Sequence, residues 1–216
     1  MSDYHDYIYD LGARRIVGDF EGAYANVDDV WPSQHDVHIL KFRTVRRIAQ
    51  ETGGRVLDIG AGYGDFVADL AAAGVAARGV EISPTAVARG IERHPGIDLR
   101  VGDLRSGLPF ADASHDIVVL FGVMWYLLDS VDACLREIRR VLRPGGLLAA
   151  SLSMPEGTPI GSEVIGSYDD FVAILRRHFS VRETLLCHEH NDLRAGLPLS
   201  RCRTDMVALC VADDPA

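Results

Sequence analysis

The stretch Val56–Phe66, "VLDIGAGYGDF", decides the fold of this 216-residue chain. A short apolar run is followed at once by three glycines at alternate positions and then by the start of a helix-like pattern. Apolar β-branched residues favour a buried strand, and glycines directly after a strand allow a tight turn and the close approach of a ligand. The stretch therefore predicts a strand, a ligand-binding turn and a helix, which together form one unit of an α/β fold.

The spacing of the glycines indicates which kind of ligand the turn accepts. Gly60, Gly62 and Gly64 form G-x-G-x-G, whereas a dinucleotide site would need its third glycine at the position of Asp65. A pyrophosphate binds at the positive end of a helix without acidic neighbours, but Asp58 precedes this turn and Asp65 follows it. We therefore expect a cationic or zwitterionic ligand.

Strand-like and helix-like patterns alternate through most of the remaining chain. The predicted strands cover 56–59, 77–82, 98–101, 116–123, 147–152, 181–188 and 205–211. The predicted helices cover 35–50, 65–73, 85–94, 129–142 and 168–178. Because no helix separates the last two strands, they are expected to pair antiparallel. The pattern predicts a doubly wound, mostly parallel seven-stranded sheet with an antiparallel C-terminal strand pair.

The first 50 residues are expected to be an N-terminal lid or cap segment with a helix, and residues 51–216 the main domain. In the helix predicted over 35–50, the inward positions at helical spacing are Val37, Leu40 or Lys41, Thr44 and Ile48. The segment before it is rich in tyrosine and contains Trp31. Such a segment is suited to cover a binding site.

Acidic residues lie at the ends of three consecutive predicted strands. Asp58, Glu81 and Asp103 come at the ends of the first, second and third of them. Glu81 follows Gly64 by 17 residues, close to the roughly 20-residue offset at which a carboxylate accepts the hydroxyls of a ribose. Because the carboxyl ends of parallel strands meet at one edge, the three acids are expected to line one crevice.

Four motifs now resemble those of the class I S-adenosylmethionine-dependent methyltransferases, in the small-molecule subgroup. They are "VLDIGAGYG", "VEISPTAV", "GDLRSGLPF" and "HDIVVLFGVMWYLLD", and the resemblance covers about 56–153. It implies S-adenosylmethionine as the cofactor and S-adenosylhomocysteine as the product. It also implies the Rossmann-like methyltransferase form of the predicted sheet.

The resemblance assigns roles to residues of these motifs. Asp58 would contact the ammonium of the cofactor, Glu81 the ribose hydroxyls and Asp103 the adenine amino group. The full implied set of cofactor-binding residues is Asp58, Gly60, Ala61, Gly62, Gly64, Glu81, Ile82, Asp103, Leu104, Phe121 and Gly122.

The sequence says less about the molecule that accepts the methyl group. Members of the family often have histidine where this chain has Trp125 and Tyr126, so we expect these two side chains and Trp31 to form an aromatic, substrate-binding wall. A role of Trp125 and Tyr126 as core filling is the open alternative. A general base is needed only for a hydroxyl or a protonated amine, and the histidine candidates are His35, His38, His188 and His190.

The expected activity is methyl transfer to an oxygen or nitrogen of a small molecule, such as a sugar or a biosynthetic intermediate. Two alternatives stay open: a nicotinamide-dependent oxidoreductase, which has the same fold edge and a ribose-binding acid, and a non-catalytic cofactor-binding module. A nicotinamide-dependent oxidoreductase would have its third glycine one residue later. A non-catalytic module would give no methylated product.

Charge and hydropathy limit the partners. A net charge of −9 repels nucleic acid and anionic membranes. We find no apolar run long enough to span a bilayer and no apolar leader pattern, so a cytoplasmic monomer or homodimer without a membrane partner is expected. The four cysteines show no metal-binding spacing, and a metal site is not expected.

Overall fold

Strands and helices alternate along the chain, of which the computed structural model describes residues 4–28, 30–31, 39–154, 160–188 and 204–213. The strands are β1 (Tyr9–Asp10), β2 (Arg15–Ile16), β3 (Val56–Ile59), β4 (Ala77–Glu81), β5 (Asp98–Val101), β6 (His115–Phe121), β7 (Leu142–Ser153), β8 (Ser180–His188) and β9 (Thr204–Val211). The helices are α1 (His5–Ile8), α2 (Phe20–Asn26), α3 (Leu40–Thr52), α4 (Asp65–Ala72), α5 (Pro84–Arg93), α6 (Val131–Val141) and α7 (Tyr168–Leu175).

Seven strands form one sheet in the order β5-β4-β3-β6-β7-β9-β8. The pairs from β5 to β7 are parallel, whereas β9 pairs antiparallel with both β7 and β8. The predicted sheet and its antiparallel C-terminal pair are thereby confirmed. From β3 the chain first builds outward to β4 and β5, then crosses to β6 and β7. This reversal opens a crevice at the carboxyl ends of β3 and β6, where ligands of such folds bind.

Helices cover both faces of the sheet, and residues of one strand alternate between them. Leu57 and Ile59 of β3 pack in the cluster that contains α6 and α7, whereas Val56 packs in the cluster that contains α3 and α4. Burial of each large apolar side chain contributes about 1.5–3 kcal/mol. Burial on both faces explains why β6, in the middle of the sheet, is apolar from Ile117 to Phe121.

The sequence patterns locate the predicted strands and the helices α4 to α7 to within a few residues, because local signals mark their ends, whereas α1, α2, β1 and β2 were not predicted. Ser83 caps α5 by accepting from Ala86 N at 3.0 Å, as its position before Pro84 indicates. One difference lies at β7, which begins at Leu142, before the Pro-Gly-Gly turn rather than after it. The register between β6 and β7 shifts there, so the turn is a bulge within the strand.

Of the two alternatives predicted for the inward face of α3, Leu40 or Lys41, the structure has Lys41 inward, and the predicted positions Thr44 and Ile48 are only partly buried. Leu40 is 52% exposed, and the buried positions of the helix are Lys41, Phe42, Val45 and Ala49. Phe42 contacts the ring of Phe66 on α4 and the ring of Phe121 on β6, at centroid distances of 4.7 and 5.4 Å. These contacts orient α3 so that the face with Lys41, and not the face with Leu40, packs against the sheet. Of the residues predicted to precede Leu40 in the helix, 35–38 lie outside the described residues and Ile39 is the N-cap.

Residues 4–28 and 30–31, here called the N-terminal cover, pack over the start of α5 and the glycine turn. Its apolar residues join Tyr63 and Ala86 in a third cluster. Glu21 accepts from the hydroxyl of Ser83 and from both the backbone and the hydroxyl of Thr85, at 2.6–3.1 Å. These contacts attach the cover to the N-terminus of α5.

Candidate functional site

A cavity of about 340 Å³ opens at the carboxyl ends of β3, β4 and β6 and is closed on one side by the N-terminal cover. Its volume lies in the range of small-molecule sites. Ten of the eleven predicted cofactor-binding residues line it, as do the predicted substrate-binding residues Trp31, Trp125 and Tyr126. The exception is Gly64.

The glycine turn brings backbone close to the cavity. Gly60 has φ +75° and Gly62 has φ +55°, in the left-handed region that favours glycine. A Cβ on Gly60 would lie 2.5 Å from Val123 Cγ2. The amides of Gly60 and Ala61 both donate to Val80 O on the neighbouring strand, at 2.8 and 3.1 Å. These two hydrogen bonds anchor the turn to β4.

Gly64 is needed for packing. It precedes α4 with φ +76°, and a Cβ there would come within 2.7 Å of Ile97 Cδ1. This position faces the segment before β5, away from the cavity. The third glycine of the motif thus allows the helix to approach the sheet, and its predicted contact with the cofactor stays a prediction.

Two carboxylates form the buried floor of the site. Asp58 is 6% exposed and Glu81 is 5% exposed. Glu81 accepts from Gly62 N and Ser83 N, each at 3.0 Å. Burial, and then the charge of Glu81, raise the pKa of Asp58 to about 7, and burial also raises the pKa of Glu81. A cationic ligand would relieve this repulsion, so the floor fits a cofactor with an ammonium and a sulfonium.

The third predicted acid, Asp103, has a different environment. Its oxygens accept from Arg105 N at 2.9 Å and from the Arg105 guanidinium at 3.0–3.2 Å. Burial raises the pKa of Asp103, but the hydrogen bonds from Arg105 outweigh burial and leave it below its ordinary value. Asp103 is thus an ionised acceptor at the cavity edge, available to a donor such as an adenine amino group.

Aromatic side chains form the opposite wall. Trp125 Nε1 donates to Ser153 O at 2.9 Å, which orients the indole. The Tyr126 hydroxyl lies 3.3 Å from the Tyr9 hydroxyl of the N-terminal cover. Burial, and then the neighbouring Tyr9, raise the pKa of Tyr126. Because Trp125 and Tyr126 are only partly buried and line the cavity, they are wall residues as well as packing residues.

The histidine candidates for a general base are not brought to this cavity by the described part of the chain. His35, His38 and His190 lie outside the described residues. His188 ends β8, and its side chain is likewise not described. His115 begins β6 at the opposite end of the strand from the cavity and contacts the Phe110 ring. Its burial lowers its pKa to about 4.

The sequence patterns did not reveal a buried polar cluster at the cavity wall, here called the Lys41 cluster: Lys41, Asp205 and Ser153. Lys41 Nζ donates to Asp205 Oδ2, and Ser153 Oγ donates to Asp205 Oδ1. Lys41 and Asp205 are 6% and 3% exposed. The available signals were a lysine on an otherwise apolar helix face and an aspartate within an apolar strand.

Comparison with known proteins agrees with the fold and the cavity. A family model described as a methyltransferase domain matches residues 57–150. A demethylmenaquinone methyltransferase of Beutenbergia cavernae is 40% identical over 118 residues, covering 54% of this chain and 48% of the relative. The ubiquinone/menaquinone biosynthesis C-methyltransferase UbiE of Rubrivivax gelatinosus is 36% identical over 146 residues, covering 66% and 56%. The chain thus spans about half the length of these curated relatives.

A solved structure of an S-adenosylmethionine-dependent methyltransferase from Aquifex aeolicus has the same fold, with a TM-score of 0.62 at 17% identity, covering 88% of this chain and 97% of the other. The sheet, the glycine turn and the acids at its edge define a class I methyltransferase fold. The family model and the curated relatives place residues 57–150 of this chain in the class I S-adenosylmethionine-dependent methyltransferases, and S-adenosylmethionine is the cofactor of that family.

Two features are absent from the described residues. None of their helices combines the length and apolarity that crossing a membrane requires. No group of three or more histidine, cysteine or acidic residues among them is arranged to hold a metal ion.

Proposed function

We propose that this protein transfers the methyl group of S-adenosylmethionine to a small molecule with a flat, conjugated ring that carries a hydroxyl group. The methylated atom is the oxygen of that hydroxyl group or a ring carbon next to the carbon that bears it. The observation that carries the proposal is the aromatic wall of the cavity, because flat conjugated rings stack on such side chains and sugars or small amines gain less from them. Two relatives named for quinone or menaquinone methylation support the choice of ring.

In this proposal the floor of the cavity holds the cofactor, which supplies an electrophilic methyl group when bound. Asp58 contacts its ammonium and Glu81 its ribose hydroxyls, while Asp103 accepts from its adenine amino group. Ile82, Leu104 and Phe121 provide apolar contacts for the adenosyl part. The buried, mutually repelling pair Asp58 and Glu81 favours a cation over a polyanion, which supports this assignment over a dinucleotide.

The aromatic wall holds the acceptor and excludes water. Displacement at a sulfonium methyl group mainly requires that donor and acceptor be aligned at short distance. Trp125, whose indole is fixed by its bond to Ser153 O, and Tyr126 are suited to orient a ring over the turn. The N-terminal cover, as part of the proposed lid region 1–50 over the domain 51–216, would close the site with Trp31. The base roles of His35, His38, His188 and His190 remain predictions.

The test is methyl transfer from methyl-¹³C-labelled S-adenosylmethionine to a panel of acceptors. Chemically reduced 1,4-naphthoquinone and catechol represent hydroxylated rings, glucose a sugar and glycine an amine. The ¹³C shift of the product tells whether the methyl group is bound to carbon, oxygen or nitrogen. We expect products with the ring acceptors alone. Methylation of glucose or glycine in preference to the rings contradicts the proposal, and so does the absence of any product.

The aromatic wall can be tested within the same assay. Trp125→Ala is expected to raise KM for a ring acceptor by up to about tenfold, the equivalent of about 0.5–1.5 kcal/mol for one aromatic contact. Trp125→Phe is the matched control because it retains a ring at the wall, and its KM should stay close to that of the unchanged protein. Equal KM values in all three proteins would show that Trp125 does not contact the acceptor.

A further inference from the structure

The Lys41 cluster lies where the site continues beyond the cofactor. Along the carboxyl edge of the sheet, the acids predicted for the cofactor follow β5, β4 and β3, and the next strands are β6, β7 and β9. Ser153 ends β7 and is paired in register with Asp205 near the start of the antiparallel β9. Both side chains line the cavity together with Lys41 of α3. The cluster therefore occupies the acceptor end.

Lys41 is unusual in this chain. It is the only lysine in the sequence, since the other 21 of the 22 basic residues are arginines. Its ammonium also lies 5.5 and 5.6 Å from the ring centroids of Phe42 and Phe121. A single buried lysine at a cavity, in a chain that otherwise uses arginine, indicates a place where a compact ammonium is needed.

The hydrogen bonds of Lys41 leave room for a ligand. An ammonium has three donors, and within the described part of the chain the only acceptor of Lys41 Nζ is Asp205. An arginine fork would pair with the Asp205 carboxylate by two parallel bonds. Lysine uses one donor on the carboxylate and has two left beside the cavity. A buried ion pair is weak evidence for stability, because its desolvation offsets most of its attraction, so stability alone does not explain it.

We propose that Lys41 binds the ionised hydroxyl oxygen of the acceptor ring, and that Asp205 and Ser153 position its ammonium. The inference rests on the function proposed above and names the chemical class of the acceptor: a phenol, a naphthol or an enol of comparable acidity. The acceptor enters as the anion, and its proton has gone to bulk water. The hydroxyl oxygen so held is itself a nucleophile and also donates electrons to the ring carbons beside it, which fits methylation at either atom. Where a carbon takes the methyl group, the proton of that carbon passes to water and the oxygen is protonated again.

The experiment measures the pKa of a coloured naphthol in the site. 4-Nitro-1-naphthol changes its visible absorbance when it ionises, and it is bound to the protein saturated with S-adenosylhomocysteine. We expect the pKa of the bound probe to lie below that of the free probe by at least about 1, because a cation within hydrogen-bonding distance favours the anion. A decrease of about 1 in the pKa means that the protein binds the anionic probe about tenfold more tightly than the neutral probe.

Lys41→Met should abolish this decrease while the affinity for S-adenosylhomocysteine stays unchanged. Arg47→Met is the matched control, because it removes the same charge from an exposed position of α3 and should keep the decrease. If Lys41→Met does not fold, the double variant Lys41→Met, Asp205→Asn leaves no unpaired buried charge and makes the same comparison.

A second measurement needs no variant. Protein labelled with ¹⁵N at the lysine side chain gives a single lysine resonance, because Lys41 is the only lysine. We expect this resonance to shift when the ionised naphthol binds, and not when 1-nitronaphthalene, which lacks the hydroxyl, is added.

The inference is overturned if the naphthol does not bind, if its pKa in the site equals that in solution, or if Lys41→Met lowers the affinity for S-adenosylhomocysteine and leaves the naphthol unaffected. The last result would assign Lys41 to the cofactor carboxylate. Failure of the proposed function is seen separately, as a lack of methylated product in the acceptor panel.

Discussion

Asp58 should oppose the folding of the cofactor-free protein above neutral pH, and replacing it with Asn should reveal this. Burial and the charge of Glu81 raise the pKa of Asp58 from its ordinary value of 3.8 to about 7. The stability that comes from keeping Asp58 protonated is complete below about pH 4 and is lost as the pH rises through about 7. A difference of 1 in pKa corresponds to about 1.36 kcal/mol. The difference between 3.8 and about 7 for Asp58 therefore amounts to about 4 kcal/mol of stability.

Asp58→Asn retains the shape of the protonated side chain and cannot ionise. We expect the free energy of unfolding of Asp58→Asn to exceed that of the unchanged protein by about 4 kcal/mol above about pH 7.5. Near pH 5 this difference between the two proteins should be smaller by about 3 kcal/mol. The assay is urea unfolding of the cofactor-free proteins at several pH values, followed by tryptophan fluorescence. A gap that does not change with pH would refute the reasoning, as would a variant less stable throughout.

The same substitution should weaken cofactor binding while it strengthens the fold. At about pH 8, the loss of a charged hydrogen bond worth about 1.5–3 kcal/mol should reduce the affinity for S-adenosylhomocysteine at least about tenfold. In the unchanged protein, affinity should fall as the pH drops below about 7, because Asp58 must ionise to bind an ammonium. A pH-independent affinity in the unchanged protein would contradict this assignment of Asp58.

Three further changes test the edge of the sheet and the cover. Glu81→Gln should lower the affinity for S-adenosylhomocysteine at least about tenfold by calorimetry, since each buried charged hydrogen bond is worth about 1.5–3 kcal/mol; unchanged binding would exclude the ribose role. Gly60→Ala should destabilise the protein by more than Gly53→Ala, because both have positive φ but only the Cβ at Gly60 meets another side chain; equal changes in urea unfolding would contradict this. Glu21→Gln should speed hydrogen exchange in α2 about fivefold, for a loss of about 1 kcal/mol, and leave α6 unchanged; unaltered exchange in α2 would show that Glu21 does not attach the cover.

Local rules explain why the framework of the site was predictable. The strand at Val56, the turn after it and the cap at Ser83 depend on residues within a few positions of one another. The placement of Asp58, Glu81 and Asp103 follows once the strands are known to be parallel, because their carboxyl ends must share an edge. Ten of the eleven residues predicted for the cofactor therefore line one cavity.

The face of α3 shows where a periodic pattern stops being informative. Helical spacing left the inward position open between Leu40 and Lys41, which lie on faces that differ by one residue. The choice between them depends on Phe66 and Phe121, which belong to other elements. Their position relative to α3 is a property of packing and not of the helix sequence.

By itself, then, the sequence determined the α/β framework, the glycine turn and the row of acids, because each follows from local conformational preference and from the geometry of parallel strands. Only the tertiary structure showed the Lys41 cluster and the contact of the N-terminal cover with Tyr126. Lys41 and Asp205 are 164 positions apart, and Tyr9 and Tyr126 are 117 apart. Contacts at such separations depend on how helices and strands pack on one another, and no local pattern encodes them.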